Sequence, residues 1–214
     1  MELIHSLIDL LRDPGPIIQW GGYPALALII FLETGAMIAF LPGDSLLFVA
    51  GLYAAKGQLN VAILVSLLSL MAVLGDATSY TIGARVGPKI FNRPRSRFFK
   101  PEHVEAAHAF YERHGGVAII IARFAPLVRT FVPVIAGVAG MRYRTFALYN
   151  ITGGIGWVCS MVLGGYFLGS IFPDLARHIE KVIIVIVVLS VIPLVVEYIR
   201  AKRRPKDLPE QQTP

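Results

Sequence analysis

Residues 116–141 read GVAIIIARFAPLVRTFVPVIAGVAGM, and this stretch decides how the chain is arranged. It is long and apolar enough for a membrane segment, but it contains four residues that a simple spanning helix would replace with Leu or Val: Arg123, Pro126, Arg129 and Pro133. A charged side chain costs about 2.5–3.5 kcal/mol at the centre of a membrane helix. We therefore expect the stretch to face a cavity inside the protein rather than lipid.

The composition excludes an ordinary soluble domain. Of the 214 residues, 55% are hydrophobic and 16% are charged, whereas soluble domains carry about 25% charged residues. Three further apolar stretches, over about residues 61–85, 145–171 and 182–199, are close to the roughly 20 residues that a helix needs to cross the hydrocarbon core. The sequence therefore predicts one small multi-pass membrane domain.

The net charge of +6 comes largely from two basic segments, the loop 86–115 and the tail 201–214. Basic segments that flank membrane helices usually mark the cytoplasmic side. We interpret them as a topology signal and expect no nucleic-acid partner. If every apolar stretch between the two segments crossed the membrane, they would lie on opposite sides, so one stretch should enter and leave on the same face.

The stretch 116–141 is the candidate for this re-entrant hairpin, with Pro126 and Pro133 near its tip. Residues 22–55 are also too long for one span and are interrupted at Pro42 and Gly43, a pair typical of a turn. They form the second predicted hairpin, which enters from the opposite face.

The fold class that follows is an all-α integral membrane protein with an inverted repeat of a re-entrant helical hairpin and a transmembrane helix. The predicted core covers residues 21–175. An N-terminal interfacial amphipathic helix (1–20) precedes it, and a C-terminal transmembrane helix (176–200) and a basic cytoplasmic tail (201–214) follow. Inverted-repeat transporters build their substrate sites from broken helices that meet near the membrane midplane.

The ionisable residues placed deepest in apolar sequence are Glu33, Asp44, Asp76, Arg123 and Arg129. Arginine presents a planar fork of donors that fits phosphate oxygens, so we expect the two arginines to face Glu33 and Asp44 and to bind a phosphate head group. An acid that loses its arginine to the substrate would take up a proton. Structural ion pairing is the alternative for each residue, and for Asp76 both roles stay open.

The chain resembles the DedA family of bacterial membrane proteins, which share their core with the eukaryotic VTT-domain lipid scramblases. Four motifs carry the resemblance across about residues 15–175: ETGAMIAFLPGDSLLFVAGLYAAKGQLN, GDATSYTIGARVG, RHGGVAIIIARFAPLVRTFVPVIAGVAGM and NITGGIGWV. It implies that Glu33, Asp44, Arg123 and Arg129 are the functional residues. It also implies a bacterial inner-membrane flippase for undecaprenyl phosphate or a phospholipid.

Two other functions remain as alternatives. A drug/proton or ion antiporter would use the same carboxylates, with the arginines serving a structural role. A lipid phosphatase is less expected because it normally needs a nucleophile or general base beside the phosphate, and no histidine lies within the apolar core. The spacing of the histidines in the loop 86–115 fits no metal site, so we expect no metal. We also expect no enzyme activity and no cofactor. An oligomer is possible.

Overall fold

The computed structural model describes residues 15–36, 43–91, 117–123 and 126–172. Every regular element in these ranges is an α-helix. In chain order they are α1 (Gly15–Gly35), α2 (Gly43–Ala55), α3 (Val61–Phe91), α4 (Val117–Ala122), α5 (Pro126–Val138) and α6 (Tyr143–Ile171).

Two helices in the described ranges are long and apolar enough to cross a membrane. They are Val61–Val86, with 26 residues and a mean hydropathy of 2.1, and Tyr143–Ile171, with 29 residues and a mean hydropathy of 1.5. These segments include the stretches 61–85 and 145–171 that the sequence predicts as spans. The predicted all-α class with apolar spanning helices is confirmed.

The helices α2 and α5 are much shorter, with 13 residues each. At 1.5 Å per residue each is about 20 Å long, which is less than the roughly 30 Å of hydrocarbon in a bilayer. The helix α1 is bent at Gly22, whose φ of 50° interrupts the helical conformation. None of these segments crosses a membrane as one straight helix of full length.

The two halves of the chain repeat the same backbone pattern. Both short helices end in a turn with a positive-φ glycine, Gly57 at 74° and Gly140 at 69°. In both turns the N–H of the next residue, Gln58 or Met141, donates to a carbonyl five residues earlier. This arrangement is the Schellman motif of helix C-termini, and a long helix follows it each time. The described chain therefore contains two similar units.

Each short helix packs against the long helix of the other unit. A Cβ atom at Gly165 of α6 would lie 2.1 Å from the carbonyl oxygen of Phe48 on α2. A Cβ at Gly83 of α3 would lie 2.2 Å from the carbonyl oxygen of Val134 on α5. Because both approaches leave no room for a side chain, the glycines allow the backbones to meet as small residues do in membrane helix pairs.

Side-chain contacts identify which helix ends lie together. At one end of the molecule, the N–H of Asn60 donates to Tyr23 Oη over 2.7 Å, and Gly169 packs against Ala55. This end contains the beginnings of α1 and α3 and the ends of α2 and α6.

The opposite end is held together by an aromatic group. The hydroxyl of Tyr80 donates to the carbonyl of Met141, and its ring stacks on Phe146 with centroids 4.4 Å apart. The second half of α3 therefore lies beside the beginning of α6, and these two helices are antiparallel. The exposed residues Arg142 and Arg144 lie at this end.

Several predicted features fall differently or cannot be placed. Pro133 lies inside α5 rather than at a hairpin tip; proline is tolerated within membrane helices because neighbouring groups satisfy the freed carbonyl. Pro126 is the first residue of α5, where its fixed φ favours helix initiation, and Gly43 is the first residue of α2. Pro42 lies outside the described residues, together with most of the N-terminal helix, the C-terminal span and the basic tail.

Candidate functional site

The end of α1 and the beginnings of α2 and α5 lie beside the long helices, about halfway along their length. Asp76 lies about 22 Å from the beginning of α3, and Trp157 lies about 21 Å from the beginning of α6, at 1.5 Å per residue. At this level Gly35, which ends α1, approaches Gly75 of α3 so closely that a Cβ would lie 3.2 Å from its Cα. The predicted charged residues come together here in two groups.

The first group, which we call the Arg129 cluster, contains Arg129, Glu33, Asp44 and Trp157. Arg129 Nη2 donates to Glu33 Oε1 over 2.6 Å, and Nη1 donates to Asp44 Oδ1 over 2.5 Å. Arg129 is 8% exposed and Glu33 is 1% exposed. One guanidinium fork thus joins the first turn of α5 to acids on α1 and α2.

Trp157 of α6 contacts both sides of this ion pair. Its Nε1–H donates to Asp44 Oδ1 over 2.8 Å. The Arg129 guanidinium carbon lies 4.5 Å from the centre of the indole ring, within the range of a cation–π interaction. The fully buried ring therefore supports Asp44 and Arg129 together.

The second group, the Arg123 cluster, contains Arg123, Asp76 and Asn150. Arg123 Nη2 donates to Asp76 Oδ2 and to Asn150 Oδ1. It also lies 3.4 Å from the Asn150 carbonyl, and Asn150 Nδ2 donates to the carbonyl of Val73 over 3.0 Å. The cluster therefore connects the α4–α5 junction to both long helices.

Two glycines of α6 make room for the Arg123 side chain. A Cβ at Gly153 would lie 3.0 Å from Arg123 Cδ, and one at Gly154 would lie 3.5 Å from Arg123 Nη2. The extended arginine therefore lies along the surface of α6 and reaches Asp76 on α3. This slot fixes its direction.

The expected pairing of both arginines with Glu33 and Asp44 is only half right. Arg129 contacts both acids, whereas Arg123 contacts Asp76. The reason is the break between α4 and α5: Arg123 follows α4, Arg129 lies in the first turn of α5, and the two side chains approach different helices. Asp76 thus belongs to the charged site as the partner of Arg123.

Sequence reasoning missed Asn150 and Trp157. It searched for ionisable residues, and neither side chain carries a charge. A signal was nevertheless present, because an asparagine within an apolar span needs hydrogen-bond partners. A tryptophan at the middle of a span is equally unusual, since interfacial tryptophans concentrate at the ends of spans.

The site carries one carboxylate more than it has guanidinium groups, with Glu33, Asp44 and Asp76 facing Arg123 and Arg129. Its hydrogen bonding is also incomplete. Within the described residues, Glu33 Oε2, Arg123 Nε and Arg129 Nε are buried without a hydrogen-bond partner. Buried polar groups are normally paired, so the site keeps unused capacity to bind a proton or a polar ligand.

Comparison with known families identifies the fold of this site. The VTT domain matches residues 34–167, which include α2, α3, α5, most of α6 and both arginines. The chain belongs to the DedA family of membrane proteins.

Its relatives cover most of the chain. Protein DedA of Escherichia coli K12 is 44% identical over 213 residues, which cover 95% of this chain and 97% of that protein. An uncharacterized membrane protein of Mycobacterium tuberculosis is 44% identical over 189 residues, or 87% and 83% of the two chains. Inner membrane protein YqjA of Escherichia coli K12 is 34% identical over 174 residues, or 81% and 79%. No solved structure matches the chain.

Proposed function

We propose that this protein is a flippase that carries a phosphate-bearing lipid, undecaprenyl phosphate or a phospholipid, across the bacterial inner membrane. One observation carries the proposal: Arg129 is buried halfway along the spanning helices and is held by two carboxylates, Glu33 and Asp44. Placing a guanidinium at this depth costs free energy. Binding of an anionic head group would explain why the protein places one there.

The proposed transport path depends on two re-entrant hairpins. The contacts of Tyr23 with Asn60 and of Ala55 with Gly169 put the outer ends of α1 and α2 at one end of the molecule. The junction of these helices, with Glu33, lies at the middle of α3. Irregular backbone at this depth is tolerated where it borders protein or a water-filled cavity, as in transporters with inverted repeats.

The exchange of partners at Arg129 supplies the mechanism. The planar fork that now holds two carboxylates also fits two oxygens of one phosphate. When phosphate takes the fork, a carboxylate is left beside an anion in a medium of low dielectric constant, where its ionised form is disfavoured. Uptake of a proton by that acid would couple lipid binding to the proton gradient.

Arg123 has a different proposed role. A single nitrogen of Arg123, Nη2, contacts Asp76 and Asn150. Two glycines of α6 lie against the Arg123 side chain. These contacts support a positioning role in which Arg123 holds the second hairpin against the long helices. We accordingly assign Asp76 to ion pairing rather than to the proton relay.

Leaflet-resolved transport in proteoliposomes tests the proposal. Labelled undecaprenyl phosphate and phosphatidylglycerol are compared with a labelled glucosyl diacylglycerol, which has a polar head group but no phosphate. Wild type should move at least one phosphate lipid and leave the glucosyl diacylglycerol in place, whereas Arg129→Ala should reduce transport to that of empty liposomes. Arg144→Ala, which removes an exposed arginine at the beginning of α6, is the matched control. Equal transport by wild type and Arg129→Ala would contradict the proposal.

The third carboxylate of the site favours a second candidate function, a drug/proton or ion antiporter. In that case the acids bind protons and Arg129 only balances their charge, so no phosphate lipid should compete for the site. Transport of a cationic substrate that persists in Arg129→Gln and is lost in Glu33→Gln would favour the antiporter. We propose no enzyme activity.

The proposed topology has the basic end of the molecule in the cytoplasm. Arg142 and Arg144 lie at that end, while Gln58 lies at the other. In a Cys159→Ser background, Arg144→Cys should react with a membrane-impermeant maleimide only from the cytoplasmic side, and Gln58→Cys only from the periplasmic side. Labelling of both positions from one side would contradict the inverted repeat.

A further inference from the structure

Glu33 and Asp44 share Arg129 but have different additional partners. Asp44 Oδ1 accepts hydrogen bonds from Arg129 Nη1 and from Trp157 Nε1. Glu33 Oε1 accepts from Arg129 Nη2, and Oε2 has no hydrogen-bond partner within the described residues. Withdrawal of Arg129 would therefore leave Asp44 with a donor and Glu33 with none.

The surroundings of Glu33 offer little room for a replacement donor. A Cβ at Gly43 would lie 1.8 Å from Glu33 Oε2, so this oxygen packs directly against the backbone at the beginning of α2. Glu33 is 1% exposed, while the side chain of Asp44 is 13% exposed. Both acids lie near the N-terminus of α2, so the helix dipole does not separate them; their donors and their burial do.

The charged groups around Glu33 favour the same distinction. Arg129 of α5 is its direct partner, and the carboxylates of Asp44 on α2 and Asp76 on α3 lie within electrostatic reach. Arg123 is engaged by Asp76. Once Arg129 binds an anion, Glu33 has no cation as a direct partner, while two other carboxylates remain near it.

We infer that Trp157 is a positioning residue that keeps a hydrogen-bond donor on Asp44, and that Glu33 is the acid that takes up a proton when Arg129 is withdrawn. This inference rests on the proposed function and names the acid that carries the proton. The balance is simple: one proton from water forms an O–H bond on the Glu33 carboxylate. The same proton leaves when Arg129 returns to its carboxylate partners.

The indole contacts Asp44 and Arg129 through different parts of the ring. Its N–H bonds Asp44, while its face lies 4.5 Å from the Arg129 guanidinium carbon. Trp157→Phe keeps an aromatic face and removes the N–H. This variant therefore separates the hydrogen bond from the packing of the ring.

An infrared experiment without any lipid phosphate tests the inference. Arg129→Gln imitates the withdrawn arginine, and the protein is studied near neutral pH in dodecyl maltoside micelles, which contain neither phosphate nor carbonyl groups. The carbonyl stretch of a protonated carboxyl should appear in this variant. It should vanish with Glu33→Gln added and persist with Asp44→Asn added. Adding Trp157→Phe instead should about double the band, because Asp44 then also loses its donor.

A band that persists with Glu33→Gln and vanishes with Asp44→Asn would overturn the inference, as would a band that Trp157→Phe leaves unchanged. Arg129→Met provides the same readout if the glutamine variant does not fold. Because no lipid is added, failure here leaves the transport proposal standing. If the protein moves no lipid in proteoliposomes but the infrared band still depends on Glu33, only the transport proposal is refuted.

Discussion

The Arg123 and Arg129 clusters begin at the same junction of α4 and α5 but connect it to different parts of the molecule. Arg123 contacts Asp76 and Asn150 on the two long helices. Arg129 contacts Glu33 and Asp44, which lie at the end of α1 and the beginning of α2. One arginine therefore links the α4–α5 junction to the two long helices, and the other links α5 to the end of α1 and the beginning of α2.

The number of acids around each arginine makes this difference measurable. Asp76 is the carboxylate that directly pairs with Arg123, whereas Arg129 has two. Asp76→Asn should lower stability by about 3–5 kcal/mol, since it leaves a buried guanidinium without an anion. Glu33→Gln should cost only about 1–3 kcal/mol, because Arg129 keeps Asp44.

Thermal unfolding in one detergent compares the two variants directly. The Asp76→Asn, Arg123→Met double variant should recover much of the lost stability, because it removes both buried charges. A larger loss for Glu33→Gln than for Asp76→Asn would reverse the roles assigned to the two clusters.

The contact between α2 and α6 holds two parts of the Arg129 cluster together. Gly165→Ala should destabilise the protein by about 1–3 kcal/mol, since its methyl group would overlap the Phe48 carbonyl and separate the helices. Gly156→Ala is the control on the same helix, because a Cβ there meets nothing within 4 Å. Melting temperatures of the two variants should differ accordingly, and equal values would show that this contact does not hold α2 in place.

The smallest expected effect is at Ser79, which anchors the end of α1. Its buried hydroxyl lies 2.6 Å from the carbonyl of Thr34 and 2.9 Å from that of Gly35. Ser79→Ala should cost about 1 kcal/mol, the typical value of one hydrogen bond. Thr78→Ala should change the melting temperature less, because Thr78 is an exposed residue whose hydroxyl donates to the carbonyl of Leu74 in its own helix.

The sequence predicts the architecture better than the pairing within the site. Charge distribution and apolar length were enough to locate the long helices, because spans must satisfy a minimum length. The grouping of these five ionisable residues was also predictable, because charges in apolar stretches pair with one another. Which acid meets which arginine depends on the backbone path through the α4–α5 break, and no periodicity in the sequence determines that path.

Asn150 and Trp157 show a second limit. Their roles follow from the packing of α6 against α2 and α3, which brings residues far apart in the chain within hydrogen-bond distance. Local sequence could flag them as unusual but could not assign their partners. Pro133 illustrates the converse, because a residue typical of turns is accommodated inside α5.

The geometry of the two arginines provides the most direct test of their separate roles. Arg129 uses two nitrogens to reach two carboxylates, whereas the contacts of Arg123 converge on one nitrogen. Lysine is a point charge with three donors and cannot replace a fork. It should therefore substitute at position 123 better than at position 129.

The deciding measurement is the rate of lipid transport in proteoliposomes, per folded protein, for Arg129→Lys and Arg123→Lys. The lipid is whichever phosphate lipid the wild type moves. The account predicts that Arg129→Lys loses at least about tenfold more activity than Arg123→Lys, corresponding to about 1.4 kcal/mol of lost phosphate recognition. Equal losses, or a greater loss for Arg123→Lys, would contradict the assignment of Arg129 as the arginine that carries the lipid phosphate.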